Sequence, residues 1–193
     1  MPDTESRLIV EPTSTAEWQR LVREAEDRAA RELDEDLESY LVMLLGRSLR
    51  EVDGLSRVVA LDYLQSLECA RGERASGLRD VGDRCLLTAG LFPHRAERRL
   101  VRISYFVDLG RSAYDQVAEQ LSRAAAELFR HLAQAFVPLM EVLQAMRSLD
   151  GRPALNALEA VELIQDTGSA GARRELARYS DGLPVITGSP TRH

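Results

Sequence analysis

Two groups of residues have the types and spacing for chemistry. Arg95, Arg98, Arg99 and Arg102 recur at i, i+3, i+4 and i+7, so a helix over "PHRAERRLVRI" displays four guanidinium groups on one face, flanked by His94 and Glu97. Four like charges so close repel one another unless acids or a bound anion offset them. The second group consists of polar side chains in apolar surroundings: Asp83 in "VGDRCLL", Tyr105 and Asp108 in "ISYFVDLG", Arg111 and Tyr114 in "GRSAYDQV". Burying such groups without partners is costly. If the helices on either side of the "LFP" turn pack antiparallel, these five converge. Asp83 or Asp108 then pairs with Arg111, and a tyrosine hydroxyl closes the network. Such a network either fixes a helical corner, the commoner role of buried ion pairs, or forms a small polar pocket for an anion or a partner side chain.

Other chemistry is poorly provided for. All 25 basic residues are arginine, so no lysine is present for a Schiff base, a P-loop or general-base work. His94, His131 and His193 form neither H-x3-H nor H-E-x-x-H, and the Glu-x-x-His of carboxylate-bridged dimetal bundles does not occur. Glu127 and His131, four apart, read as a salt-bridged helix surface. No metal site and no cofactor is expected. Cys85 and His94 are the one Cys–His pair close in sequence, but Cys85 lies in "GDRCLLTAG" and reads as an inert buried thiol. Cys69 is expected to be a reduced core thiol as well. The hydrolase and nucleotide signatures G-x-S-x-G, G-x-x-x-x-G-K-[ST] and G-x-G-x-x-G are absent, and no catalytic residue is assigned.

These residues must be positioned by a chain of 193 residues, long enough for one domain with a substantial core. Aromatic residues are only 5%, which leaves little for stacking on bases. The net charge of −6 is unevenly spread. Residues 1–53 hold 7 Arg against 14 acids, and residues 71–115 hold 9 Arg against 6. This polarity can orient self-association, but it is too weak for duplex nucleic acid, which makes nucleic acid an unlikely partner. The acidic run Glu32, Asp34, Glu35, Asp36 and Glu38 is the expected partner of the arginine face. "MPDTESRLIVEP" has no apolar signal core, and no apolar run approaches the ~18 residues a membrane span needs, so no span is expected and the location is expected to be cytoplasmic.

Periodicity predicts an all-α fold, a single irregular helical bundle of six to eight helices over residues 14–180, with an extended lead-in at 1–13 and a flexible tail at 181–193. Ser14 and Glu17 form a capping-box pattern ahead of a stripe from Trp18 to Leu45, continuous or broken near "DEDLE". "GLSRVVALDYLQSLECA" predicts a helix burying Leu55, Val58, Val59, Leu61, Leu64 and Leu67. "RGERASG" reads as a loop, followed by a helix capped at Ser76 and ended by a left-handed Gly90. Gly82 inside that helix calls for a close helix contact. Residues 100–109 alternate like a strand but fit a helix too; the helical surroundings favour helix. Gly110, Ser112 and Asp115 suggest a break and a fresh cap. Residues 121–149 form the centre, with a kink at Pro138. "DGRP" is a turn, and two final helices follow, the first ending at Gly168.

The words "ESYLVMLLGR", "LRDVGDRCLLTAGLFPHRAERR" and "VRISYFVDLGRSAY" resemble a family of proteobacterial proteins of about this length, over roughly residues 35–120. The resemblance implies a cytosolic bacterial protein and carries over no activity, substrate or catalytic residue. From the residues themselves, the leading expectation is a non-enzymatic interaction or regulatory protein that associates with itself or with another protein. The alternatives are a small-ligand (anion) binder or an enzyme using the pocket around residues 83–114, and a nucleic-acid-associated regulator using the Arg95–Arg102 face.

Overall fold

In the computed structural model, residues 5–48, 59–93, 101–150 and 153–181 are described. They are all-α, with no strand among them. In chain order the helices are α1 (Glu5–Ala29), α2 (Glu35–Ser48), α3 (Val59–Glu68), α4 (Arg71–Leu91), α5 (Ile103–Gln120), α6 (Arg123–Gln134), α7 (Phe136–Arg147), α8 (Ala157–Thr167) and α9 (Ala170–Asp181), with a 3-10 turn at Ser148–Asp150.

The bundle is built around α7. Phe136, Leu139, Met140, Val142 and Leu143 are fully buried, so this helix is covered on nearly every side, as its apolar sequence requires. α1 and α4 pack against it, and α4 makes its most extensive contact with α5. That contact is close because two glycines permit it. A Cβ on Gly82 would lie 2.5 Å from the ring of Tyr114 on α5, and one on Gly110 would lie 2.9 Å from Cβ of Cys85 on α4 and closer still to the ring of Phe136 on α7. Gly82 is therefore explained by a helix crossing, as its mid-helix position requires.

Local signals place several boundaries. Residues 101–109 contain no strand, and Ile103 onward is helix. α8 starts at Asn156, whose side chain accepts from the Glu159 amide while Glu159 reaches back, and it ends at Gly168 with φ 69. The long segment before it divides at Ala135. Pro138 occupies the first turn of α7, where its missing N–H would have been unbonded. Its ring excludes the Gln134 carbonyl from the α7 ladder, so α6 closes with Ala135 N–H to His131 O at 2.8 Å and α7 begins with Leu139 N–H to Ala135 O at 2.9 Å. The expected kink is thus a helix boundary.

Other expectations are corrected. α1 begins at Glu5, so residues 5–13 are helical rather than an extended lead-in, and Ser14 lies inside the helix. "RGERASG" is the first part of α4, with Ser76 in its interior, and α5 runs through Gly110 and Ser112. Gly90 is helical and faces Leu143; it is not left-handed. Ser-x-x-acid patterns occur wherever a polar helix face carries serine, so the pattern alone does not mark a start. The break between α1 and α2 falls at Ala30, φ 46, where Glu26 accepts the Leu33 amide at 2.7 Å. α3 buries Val59 and Ser66 and half-buries Tyr63 and Leu67, whereas Leu61 and Leu64 are exposed. Leu55, Val58 and the "DGRP" turn's Gly151 and Arg152 lie outside the described residues, as does the tail from residue 182.

Candidate functional site

Asp83, on the buried side of α4, is a three-armed hub. Its Oδ1 accepts the Tyr40 hydroxyl from α2 at 2.6 Å and the Tyr114 hydroxyl from α5 at 2.8 Å. Its Oδ2 accepts Nη2 of Arg47, one α2 heptad beyond Tyr40, at 2.9 Å. The heptad spacing puts Tyr40 and Arg47 on one helix face. Gly82 lets the Tyr114 ring lie flat against α4, which brings its hydroxyl to the neighbouring carboxylate. Tyr40, Tyr114 and Phe129 enclose the hub, with ring centroids 5.9–6.3 Å apart.

Burial raises the Asp83 carboxyl above the ordinary carboxylate range, opposed by the two tyrosine hydroxyls and by Arg47. Burial and the Asp83 charge push both tyrosines upward, so they remain hydroxyl donors across the working pH range. Cys85 is fully buried and its thiol is pushed up to about 12, far from an activated nucleophile. Cys69, by contrast, is half-exposed and donates to the Gln65 carbonyl, so it is not a core thiol.

The hub forms part of the wall of a cleft of about 620 Å³ between α2, α3 and α4. Arg47, Arg79 and Arg84 line it, each beside an acid: Arg47–Asp83 at 2.9 Å, Arg79–Asp80 at 3.5 Å and Arg84–Asp62 at 2.6 Å. Arg47 uses one nitrogen on Asp83 and is 43% exposed, so donors remain for a ligand. Nε of Arg79 is buried without a hydrogen-bond partner among the described residues.

Of the five residues expected to converge, Asp83 and Tyr114 do so. Tyr105 and Asp108 are exposed. Arg111 pairs with neither aspartate; its Nε donates to the Ala133 carbonyl at 3.1 Å and satisfies the end of α6. Helix α5 turns these three side chains away from α4, whereas Tyr114 lies on the packed face. Tyr40 and Arg47 were not among the expected site residues. A tyrosine inside the leucine stripe of α2, with an arginine seven residues on, is the signal that points to them.

Arg95, Arg98, Arg99 and His94 lie outside the described residues. Arg102 pairs with Glu162 at 3.5 Å and Asp166 at 3.4 Å on α8, not with the acidic run near α2. In that run Asp34 lies 3.2 Å from His131 and Glu38 lies 3.0 Å from Arg23, so His131 has Asp34 rather than Glu127 beside it.

A second buried carboxylate, Glu141 on α7, accepts Nε of Arg31 at 2.5 Å, the Ser169 hydroxyl at 2.6 Å and the Gly171 amide at 3.0 Å. Burial alone would raise it, but Arg31, Ser169 and Gly171 together hold it below its usual range. It ties the α1–α2 turn, α7 and the N-terminus of α9 together. Among the described residues no three His, Cys, Asp or Glu side chains gather as metal ligands would, and no helix is long and apolar enough to cross a membrane. The chain matches no protein-family model, no curated protein and no solved structure.

Proposed function

We propose that the protein is a non-enzymatic binding protein for a small ligand bearing an oxyanion, held in the cleft between α2, α3 and α4. One observation carries this reading: three guanidinium groups from two helices converge on one cleft, and a buried carboxylate anchors one of them. Arginine presents planar donor pairs that match carboxylate and phosphate oxygens, and Asp83 restricts Arg47 before any ligand arrives.

Titration of the full-length protein with inorganic phosphate, succinate, citrate and glutamate tests this, followed by amide chemical shifts and thermal melting. Binding in the micromolar to low millimolar range, lost in Arg47→Met and kept in Arg111→Met, is the expected result. No shift with any of these anions at millimolar concentration would sink the reading.

A self-associating interaction protein is a second reading, and the exposure of Leu61 (56%) and Leu64 (57%), one turn apart on α3, favours it. Light scattering would report a multiple of the 21.5 kDa chain that falls to one copy in Leu61→Glu/Leu64→Glu. A monomer at all concentrations would remove it.

A further inference from the structure

Resting on the cleft reading, we infer that the ligand is a small zwitterion, with a cationic ammonium as well as its oxyanion. The charges of the lining lead there. Three arginines face four acids, Asp62, Glu73, Asp80 and Asp83. Each arginine has its own aspartate at 2.6–3.5 Å, which leaves Glu73 as the acid with no ion-pair partner among the described residues. The described lining residues therefore sum to a charge of −1. A bare anion entering it meets unfavourable Coulomb energy from Glu73, and the arginine charges are already offset. A ligand with both signs meets no such penalty: its oxyanion takes the spare donors of Arg47 and Arg79, and its ammonium takes Glu73.

Glu73 and Arg79 lie six residues apart on α4, about 9 Å along the axis and about 120° apart around it, and both line the same cleft. A free acid and spare guanidinium donors on one cleft match a carboxylate and an ammonium carried on one short chain, as in α- and ω-amino acids. A cleft of about 620 Å³ has room for a molecule of that size.

The test is calorimetric titration of the full chain with pooled α- and ω-amino acids, then with the N-acetyl and methyl-ester forms of whichever binds. Blocking either end is expected to weaken binding about tenfold or more, since each removes a charge-assisted contact. Glu73→Gln is expected to abolish the difference between the free amino acid and its N-acetyl form, weakening the former and tightening the latter as the repulsion from Glu73 is removed. If the N-acetyl acid binds as tightly as the zwitterion, this inference falls and the oxyanion reading stands. If simple anions bind and no amino acid does, it falls likewise; if nothing binds, both fall.

Discussion

Replacing Gly82 by alanine tests the crossing on which the Asp83 hub depends. In most exposed helix interiors Gly→Ala stabilises by about 1 kcal/mol. Here the new Cβ would lie 2.5 Å and 2.6 Å from two ring carbons of Tyr114 and 3.0 Å from a third. Carbon atoms pack at about 3.5–4.0 Å, so the ring must retreat by about 1 Å. It has nowhere to go, since Tyr114 is 0% exposed and has Phe129 and Phe136 beside it at centroid distances of 5.9 and 6.0 Å. Overpacking costs about 1–3 kcal/mol, and moving the hydroxyl off Asp83 costs roughly another 1.5–3. Against the helix gain, the net is about 1.5–5 kcal/mol of destabilisation. At about 2–4 °C per kcal/mol for a chain of this size, the Tm falls by roughly 3–20 °C. Gly46→Ala is the control. Nothing lies within 4 Å of a Cβ there, so it should gain up to about 1 kcal/mol. Urea and thermal unfolding of the two variants beside the parent, followed by circular dichroism, read both signs. If Gly82→Ala is as stable as the parent, the close crossing of α4 and α5 and the hub built on it are wrong.

Three other outcomes follow from named contacts. Tyr114→Phe removes one of the three donors to Asp83 and should cost about 1.5–3 kcal/mol in chemical denaturation, while Tyr105→Phe, on an exposed ring, should stay within about 0.5 kcal/mol. Arg31, Ser169 and Gly171 hold Glu141 below the ordinary glutamate range in the folded protein, so its contribution is present above that range and is lost as pH falls through the lower folded value. Glu141→Gln should accordingly cost roughly 3 kcal/mol at neutral pH, and the gap to the parent should narrow in melts taken at acid pH, below the ordinary glutamate range. Ala30 sits outside the helices at φ 46, so Ala30→Gly should be neutral to stabilising by about 1 kcal/mol, whereas Ala30→Val should destabilise by about 1–2 kcal/mol in the same melts.

Much of this architecture is written in local pattern. The all-α class, the burial of the segment around α7, the helix end at Gly168 and the need for a close contact at Gly82 depend on periodicity or on one residue's backbone chemistry, and both can be read without knowing neighbours in space. Helix starts were less legible. Ser14 and Ser112 carry cap-like spacing and Ser76 reads as a cap residue, yet all three lie inside helices, while Asn156 with Glu159 makes a complete capping box. A cap is a hydrogen bond to a free amide, and that amide is free only where the preceding chain has left the helix.

The site followed the same division. Asp83 and Tyr114 were recognisable as polar groups in apolar helices that must find partners. Which partners they find is decided by how α2, α4 and α5 cross. Asp83 meets Tyr40 and Arg47, about forty residues earlier in the chain, rather than the nearer Arg111. Sequence by itself determined that a buried carboxylate at position 83 required donors. Only the tertiary structure decided that α2 supplies two of them, because shape fit between helix faces, with Gly82 admitting the Tyr114 ring, outweighs proximity along the chain.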